Sequence, residues 1–297
     1  MSKDQIKSII ERVVRDEGLF ETGVSGVQLF RVATPMPCVP AVYEPSVVAI
    51  VSGAKEAVLD GERHVYDSER YMCCSMSMPA EAGTPEASPE APLLGVSISL
   101  DTRVMTELAI EMENAGGGLR TPKGGAVPQG VALAHWDAEF SDALLRLVQL
   151  VEQPDDAAVL GAGRLRELYY AVLKGEAGDG ARRAFGVGNE IARTIEFLST
   201  RLDETVTIDD LASEVGMSRA VFHRKFKQAT TMSPIQFVKS MRLNSAAMKI
   251  AAGTSVTEAA MDVGYASSSQ FSREFKRAYG QSPKRWGQNA VVPAGVA

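Results

Sequence analysis

The sequence predicts an α+β chain, in which a strand-rich N-terminal half with flanking helices precedes an all-helical C-terminal domain. Three observations predict it. Short runs rich in Val, Ile and Tyr, broken by Pro and Gly, occupy residues 23–100. Helical spacing of apolar residues takes over after Asp101. An internal duplication fills most of the last hundred residues. A length of 297 residues fits about two domains, and 45% apolar with 23% charged residues is the composition of a globular chain.

The elements follow in order. Ile6, Ile9, Ile10 and Val13 lie at helical spacing and predict a helix over residues 5–17. The runs VQLFRVA, SVVAIVSG, EAVLDGERHVY, YMCCSMSM and LLGVSISL read as strands of a small barrel or sandwich. Asp60-Gly61 marks a hairpin, because a type I′ turn needs positive φ. Residues 79–92, rich in Pro, Ala and Glu, read as a loop or edge segment. Asp101 is placed to cap a helix running to about Asn114, and AGGGLRTPKGGAVPQG then holds no regular structure cheaply. Two helices are expected over 137–152 and 155–174, divided at Gln153-Pro154. The glycine-rich stretch 176–188 reads as a linker, so the domains are expected at 1–175 and 189–297.

The duplication is the strongest signal. Residues 211–234 match residues 259–283: Val215-Gly216 recurs as Val263-Gly264, and Phe222, Arg224, Phe226 and Lys227 recur as Phe271, Arg273, Phe275 and Lys276. In each copy a short apolar stripe (Ile208, Leu211, Ala212, Val215; Val256, Ala259, Ala260, Val263) ends at a glycine suited to a left-handed helix end. Ser218 or Ser267 then caps a second helix with Phe at i and i+4 and a basic opposite face. Helix, tight turn and basic second helix is the pattern of a helix-turn-helix, here present twice. Pro234 opens a connecting helix whose roughly 17 residues span about 26 Å.

Charge agrees with that division. The net charge of −6 alone argues against nucleic acid, but residues 1–188 hold 17 Lys+Arg against 27 Asp+Glu, whereas residues from Val215 onward hold 12 against 3. An acidic body thus carries a basic module. No apolar run reaches a membrane span, the charged N-terminus does not read as a secretory signal, and three cysteines are too few for a disulfide framework, so a cytoplasmic protein is expected.

With these residues in view, residues 189–286 resemble the DNA-binding domain of the AraC/XylS family of bacterial transcription regulators, most closely at VGYASSSQFSREFKRAYGQSP. The segment from Arg31 to Pro79 is similar to the N-terminal domain of one AraC subfamily. The resemblance implies a cupin-like β-barrel that binds a small effector, dimerisation through helices, double-stranded DNA as partner, and recruitment of RNA polymerase. Carried over by position, the base-reading residues fall on Ala220, His223 and Arg224 in the first unit and on Ser268, Ser269, Ser272 and Arg273 in the second. Arg suits guanine bidentately. Lys227, Lys276 and the helix starts at Ser218, Arg219 and Ser267 are assigned to phosphates. Leu144, Leu147, Val148 and Leu168 are the apolar positions offered for dimerisation.

Enzymatic chemistry finds no support. The N-terminal half has only His64, read as a strand residue, and His135, read as a helix start, so no metal, cofactor or catalytic residue is expected. The glycines of GGGLRTPKGG lack the Lys-Ser/Thr ending of a phosphate loop. Cys73-Cys74 is the one suggestive feature: one of the two thiols would face the barrel beside Tyr71 or Met72 and sense an effector or an electrophile, or both simply pack. The resulting expectation is an effector-controlled regulator; its alternatives are a regulator controlled by abundance and a cysteine-based electrophile or redox sensor.

Overall fold

The computed structural model describes residues 2–115, 130–186, 189–204 and 206–289. The glycine-rich stretch read as irregular at 115–130 lies outside the described residues apart from its two ends. The N-terminal half runs α1 (Ser2–Val13), β1 (Gly18–Glu21), β2 (Val27–Val32), β3 (Met36–Tyr43), β4 (Ser46–Ser52), β5 (Ala54–Leu59), β6 (Glu62–Asp67), β7 (Arg70–Cys74), β8 (Met78–Thr84), β9 (Leu93–Ser99), α2 (Thr102–Asn114), β10 (Val131–His135), α3 (Ala138–Gln149), α4 (Pro154–Lys174) and α5 (Gly178–Phe185). The C-terminal half is helical: α6 (Glu190–Thr200), α7 (Ile208–Glu214), α8 (Arg219–Thr230), α9 (Pro234–Ala251), α10 (Val256–Asp262), α11 (Ser268–Tyr279) and α12 (Pro283–Asn289). The α+β class holds.

The strands form two antiparallel sheets, ordered β1-β2-β9-β4-β7-β10 and β3-β8-β5-β6, rather than a closed barrel. The hairpin at Asp60-Gly61 joins β5 to β6, with both residues at positive φ. Gly95 sits in β9 between β2 and β4, where a Cβ would stand 2.6 Å from the Ala49 carbonyl oxygen. α1, α3 and α4 pack together, with α1 also lying on β4 and β9.

Several local expectations change. The first helix begins and ends earlier, at Ser2 and Val13. β8 (Met78–Thr84), which starts at the last residue of the predicted strand YMCCSMSM and runs into the stretch read as loop or edge, is an interior strand between β3 and β5. Its small residues suit a close approach: a Cβ on Gly83 would lie 2.7 Å from the Cys38 amide nitrogen. Val131–His135, which carries no turn signal, pairs with β7 at the sheet edge. His135 therefore ends a strand and does not start a helix. Its amide and Nδ1 lie 2.7 and 2.9 Å from a Glu176 carboxylate oxygen, while Asp137 caps α3 by accepting from the Phe140 amide. Within the stretch read as linker, α5 buries Arg182, whose guanidinium donates to the Leu173 carbonyl and pairs with Asp179.

The four apolar positions offered for dimerisation are consumed within the fold. Leu144, Leu147, Val148 and Leu168 are each at most 1% exposed, where α3 packs on α4 and on α1, which in turn lies on β4 and β9. An amphipathic stripe records that a face is covered, and here the cover comes from the chain's own neighbouring helices.

α9 joins the two halves. Its Asn244, 8% exposed, donates from Nδ2 to the carbonyls of Ala41 in β3 and Ala80 in β8, both at 2.8 Å. The Asn244 Oδ1 accepts from the Tyr279 hydroxyl of α11 at 2.6 Å. Replacing a buried, fully bonded amide by an isosteric apolar group strands each former partner. Asn244→Leu is expected to lower the unfolding free energy by about 1–3 kcal/mol, read from urea titrations, while Ser245→Ala on the same helix leaves it unchanged. An Asn244→Leu protein as stable as the parent would contradict this bridge.

Candidate nucleic-acid interface

Each second helix of the duplication is positioned by the same devices. Gly216 and Gly264 take φ of 64° and 81°, turning the chain sharply after α7 and α10. Ser218 caps α8 by accepting from the Val221 amide, and Ser267 caps α11 by accepting from the Gln270 amide. Phe222 and Phe226 are fully buried with ring centroids 5.6 Å apart; Phe271 and Phe275 repeat the arrangement at 5.4 Å. Phe226 further meets Phe237 of α9 edge-on at 5.3 Å, and Trp286 of α12 donates to the Ala247 carbonyl of α9 at 3.0 Å. The two units differ at their ends: α11 stops on Gly280 and α8 on Thr231, a β-branched residue held at φ 65°.

Pinning the Phe face inward turns the opposite face outward. Ala220, His223, Arg224 and Lys227 of α8 are exposed, as are Ser268, Ser269, Arg273 and Lys276 of α11, with Ser272 half-buried. Among the described residues Arg224, Lys227, Arg273 and Lys276 make no ion pair or hydrogen bond. Arg219 differs, because its guanidinium lies 3.1 Å from Asp209 of α7. Both partners are about two-thirds exposed, so that pair is weak and exchangeable. Exposed Lys284 and Arg285 on α12, and Arg277 on α11, enlarge the basic surface beyond the assigned positions. A planar guanidinium or an ammonium left unpaired on a rigid, capped helix is suited to base edges or phosphates.

The N-terminal residues expected to line a pocket do not converge. Residues alternate along β7, so Tyr71 and Cys73 face the helix layer while Met72 and Cys74 face the space between the sheets. Tyr71 is 1% exposed and stacks on Phe140 of α3 at 4.0 Å. Cys73 and Cys74 are buried, and burial pushes the Cys73 thiol up to about 12 and Cys74 further. A buried thiol with a raised pKa is a poor nucleophile in the folded state. A cleft of about 340 Å³ does open elsewhere, between the β7–β8 connection (Ser75–Ser77), the start of α2 (Thr102, Thr106) and α5–α6 (Phe185, Arg193). Nothing in the sequence marks it, because its walls come from segments far apart in the chain. Among the described residues no three His, Cys, Asp or Glu side chains gather in a metal-binding group, and no helix is long and apolar enough to cross a membrane.

Known proteins share both halves. A family profile described as the AraC-type transcriptional regulator N-terminus matches residues 23–180, and one described as a helix-turn-helix domain matches residues 211–289. The HTH-type transcriptional regulator MtrA of Neisseria gonorrhoeae is 32% identical over 97 residues, covering 32% of this chain and 32% of that protein. The HTH-type transcriptional activator RhaS of Escherichia fergusonii is 26% identical over 174 residues, covering 54% of this chain and 60% of that protein. The chain thus spans less than two thirds of the length of these relatives. In structure it is similar to ToxT of Vibrio cholerae, with a TM-score of 0.59, 11% identity, and coverage of 89% of this chain and 98% of that one. That likeness is one of fold.

The thiols provide a direct check of the N-terminal packing. Cys38 is half-buried, and its Sγ lies 3.8 Å from a Glu56 carboxylate oxygen; burial, and then that carboxylate, raise its pKa. Iodoacetamide at pH 8 is expected to label Cys38 slowly in the folded protein and to leave Cys73 and Cys74 unlabelled until urea unfolds the chain. Mass spectrometry of the peptides reads the order. Labelling of Cys73 or Cys74 in the folded protein as fast as Cys38 would overturn the burial argument.

Proposed function

The chain belongs to the AraC-type transcriptional regulators, and on that premise we propose how it acts. It reads a double-stranded operator with α8 and α11, each entering a major groove, and it couples that binding to a small-molecule effector held by the N-terminal domain. His223, Arg224, Ser268, Ser269, Ser272 and Arg273 contact base edges; Ser218, Arg219, Lys227, Ser267 and Lys276 hold the backbone. The observation that carries the reading is the repeated pairing of a buried Phe pair with an outward basic face on which Arg224, Lys227, Arg273 and Lys276 make no ion pair or hydrogen bond among the described residues. Residues 1–175 form the effector and dimerisation unit, 176–188 connect it, and 189–297 form the DNA-binding unit. The protein works in the cytoplasm as a homodimer, without catalysis, and acts on transcription through RNA polymerase. Sedimentation of the full chain reads the dimer directly.

Reading and holding are separable. Arg273 lies on the exposed face of α11, between the buried Phe271 and Phe275 in sequence and away from them in space, with Lys276 three residues on. Losing a bidentate Arg–guanine pair costs about 1–3 kcal/mol and relaxes one base position, whereas losing a phosphate contact weakens all sequences alike and reduces the salt slope by about 1. Arg273→Ala is therefore expected to shrink the ratio of specific to non-specific affinity about tenfold, and Lys276→Ala to leave that ratio nearly unchanged. Titrations against operator and scrambled DNA at several salt concentrations measure both. Equal losses on the two DNAs for Arg273→Ala would make Arg273 a backbone contact.

A further inference from the structure

The cleft of about 340 Å³ beside α6 lies at the small end of the roughly 300–1,000 Å³ that ligand sites occupy. Met76 and Ser77 of the β7–β8 connection and Thr102 and Thr106 of α2 line one side, and Phe185, Asn189, Arg193 and Glu196 line the other. Most of the polar wall is already engaged within the chain. Ser77 donates to the Glu44 carboxylate and Thr106 to the Thr102 carbonyl, while Asn189 caps α6 by accepting from the Ala192 amide. Arg193 and Glu196 differ. Both are exposed, and among the described residues neither side chain makes an ion pair or a hydrogen bond. They lie three residues apart on α6, a spacing that puts Cβ atoms roughly 5–6 Å apart. A free cation and a free anion therefore stand side by side on one wall, with the apolar surfaces of Met76 and Phe185 in the same cleft.

That pair of charges selects the occupant. A monoanion that meets Arg193 is repelled by Glu196, a monocation that meets Glu196 is repelled by Arg193, and a neutral body leaves both without a partner. A carboxylate and an ammonium borne on one carbon satisfy both. The walls also lead to one helix-turn-helix unit rather than to both. The Ser75 amide, in the sheet-side wall, donates to the Gly130 carbonyl at 2.8 Å, and the Gly130 amide donates at 3.2 Å to the Ala229 carbonyl in the last turn of α8. On the other side α6 packs on α8. The apolar core runs on from the sheets through Phe185, Ile191 and Ile195 to Phe222 and Phe226, whereas Phe271 and Phe275 of α11 lie in a separate cluster.

We propose that this cleft binds a free α-amino acid with an apolar side chain, and that its occupancy acts on α8 and not on α11. This rests on the effector-controlled reading above and names the site, the ligand class and the unit that responds. The Arg193 guanidinium donates to the carboxylate, the Glu196 carboxylate accepts from the ammonium, and the apolar side chain lies against Met76 and Phe185. Filling the cleft draws α6 and the β7–β8 connection onto one ligand, and both of these touch α8, directly or through Gly130.

The test uses the full chain and named probes: leucine, methionine and phenylalanine, with 4-methylpentanoate and 3-methylbutylamine as leucine stripped of one charge or the other. Calorimetry is expected to show saturable binding of at least one amino acid and much weaker binding of both stripped analogues. Arg193→Gln and Glu196→Gln, both on an exposed helix face, are each expected to weaken that binding at least about tenfold, the scale of one charge-assisted hydrogen bond. Glu196→Gln is also expected to narrow the gap between leucine and 4-methylpentanoate. Hydrogen exchange with the bound amino acid is expected to slow in α6 and α8 and to stay unchanged in α11. Four results would overturn the proposal: no amino acid binds, 4-methylpentanoate binds as tightly as leucine, both variants keep the parent affinity, or exchange changes equally in α8 and α11. Binding of the unliganded parent to a selected operator is measured alongside. Its absence would count against the regulator reading, whereas operator binding without amino-acid binding counts against this site alone.

Discussion

The seating of α9 is the constraint on which the rest of the molecule depends. One helix of 18 residues supplies Phe237 to the core of the first helix-turn-helix unit, the Ala247 carbonyl to Trp286 in the second, and Asn244 to two strands of the sheet domain. Its start is fixed by a capping box at Ser233 and Gln236, with Pro234 in the first turn. Because the same helix touches both units, it sets the position of their second helices relative to each other. Because it also touches β3 and β8, a change in the sheet domain has a short mechanical route to that position.

The charge distribution completes the arrangement. Residues 1–188 hold more acidic than basic residues, 27 against 17, and the exposed basic residues of α8, α11 and α12 lie at the opposite end of the sequence. An acidic body turned toward DNA is repelled and a basic end attracted, so the field of the whole chain orients its approach before any base is read. Arg224, Lys227, Arg273 and Lys276 contribute little to folding, since they make no ion pair or hydrogen bond within the described residues. Stability comes instead from the buried Phe pairs and caps, which leaves those side chains free for a ligand.

How much of this was legible in the sequence depends on how local each signal is. The helix-turn-helix units were readable because Phe222 and Phe226, the glycine at 216 and the serine at 218 act within one or two turns of each other, and the second copy repeats them. β8 was not, since Ala80, Ala82 and Gly83 are small for close approach to β3, and small residues also make loops. The positions offered for dimerisation misled for a different reason: the spacing of Leu144, Leu147 and Val148 shows a covered face and cannot say that the chain's own α1 and α4 cover it. Asn244 and the cleft beside α6 likewise depend on contacts between segments far apart in the chain.

The central claim is that α9 holds the two second helices at a fixed separation, so that they engage one face of the duplex about one helical turn, roughly 34 Å, apart. Hydroxyl-radical footprinting on a selected operator, together with affinities for operators carrying insertions of about 5 and about 10 base pairs between the two protected tracts, tests it most directly. The account predicts two protected tracts on one face and loss of specific binding for both insertions, since a rigid rod follows neither a rotated nor a more distant half-site. Full affinity for either insertion would contradict it.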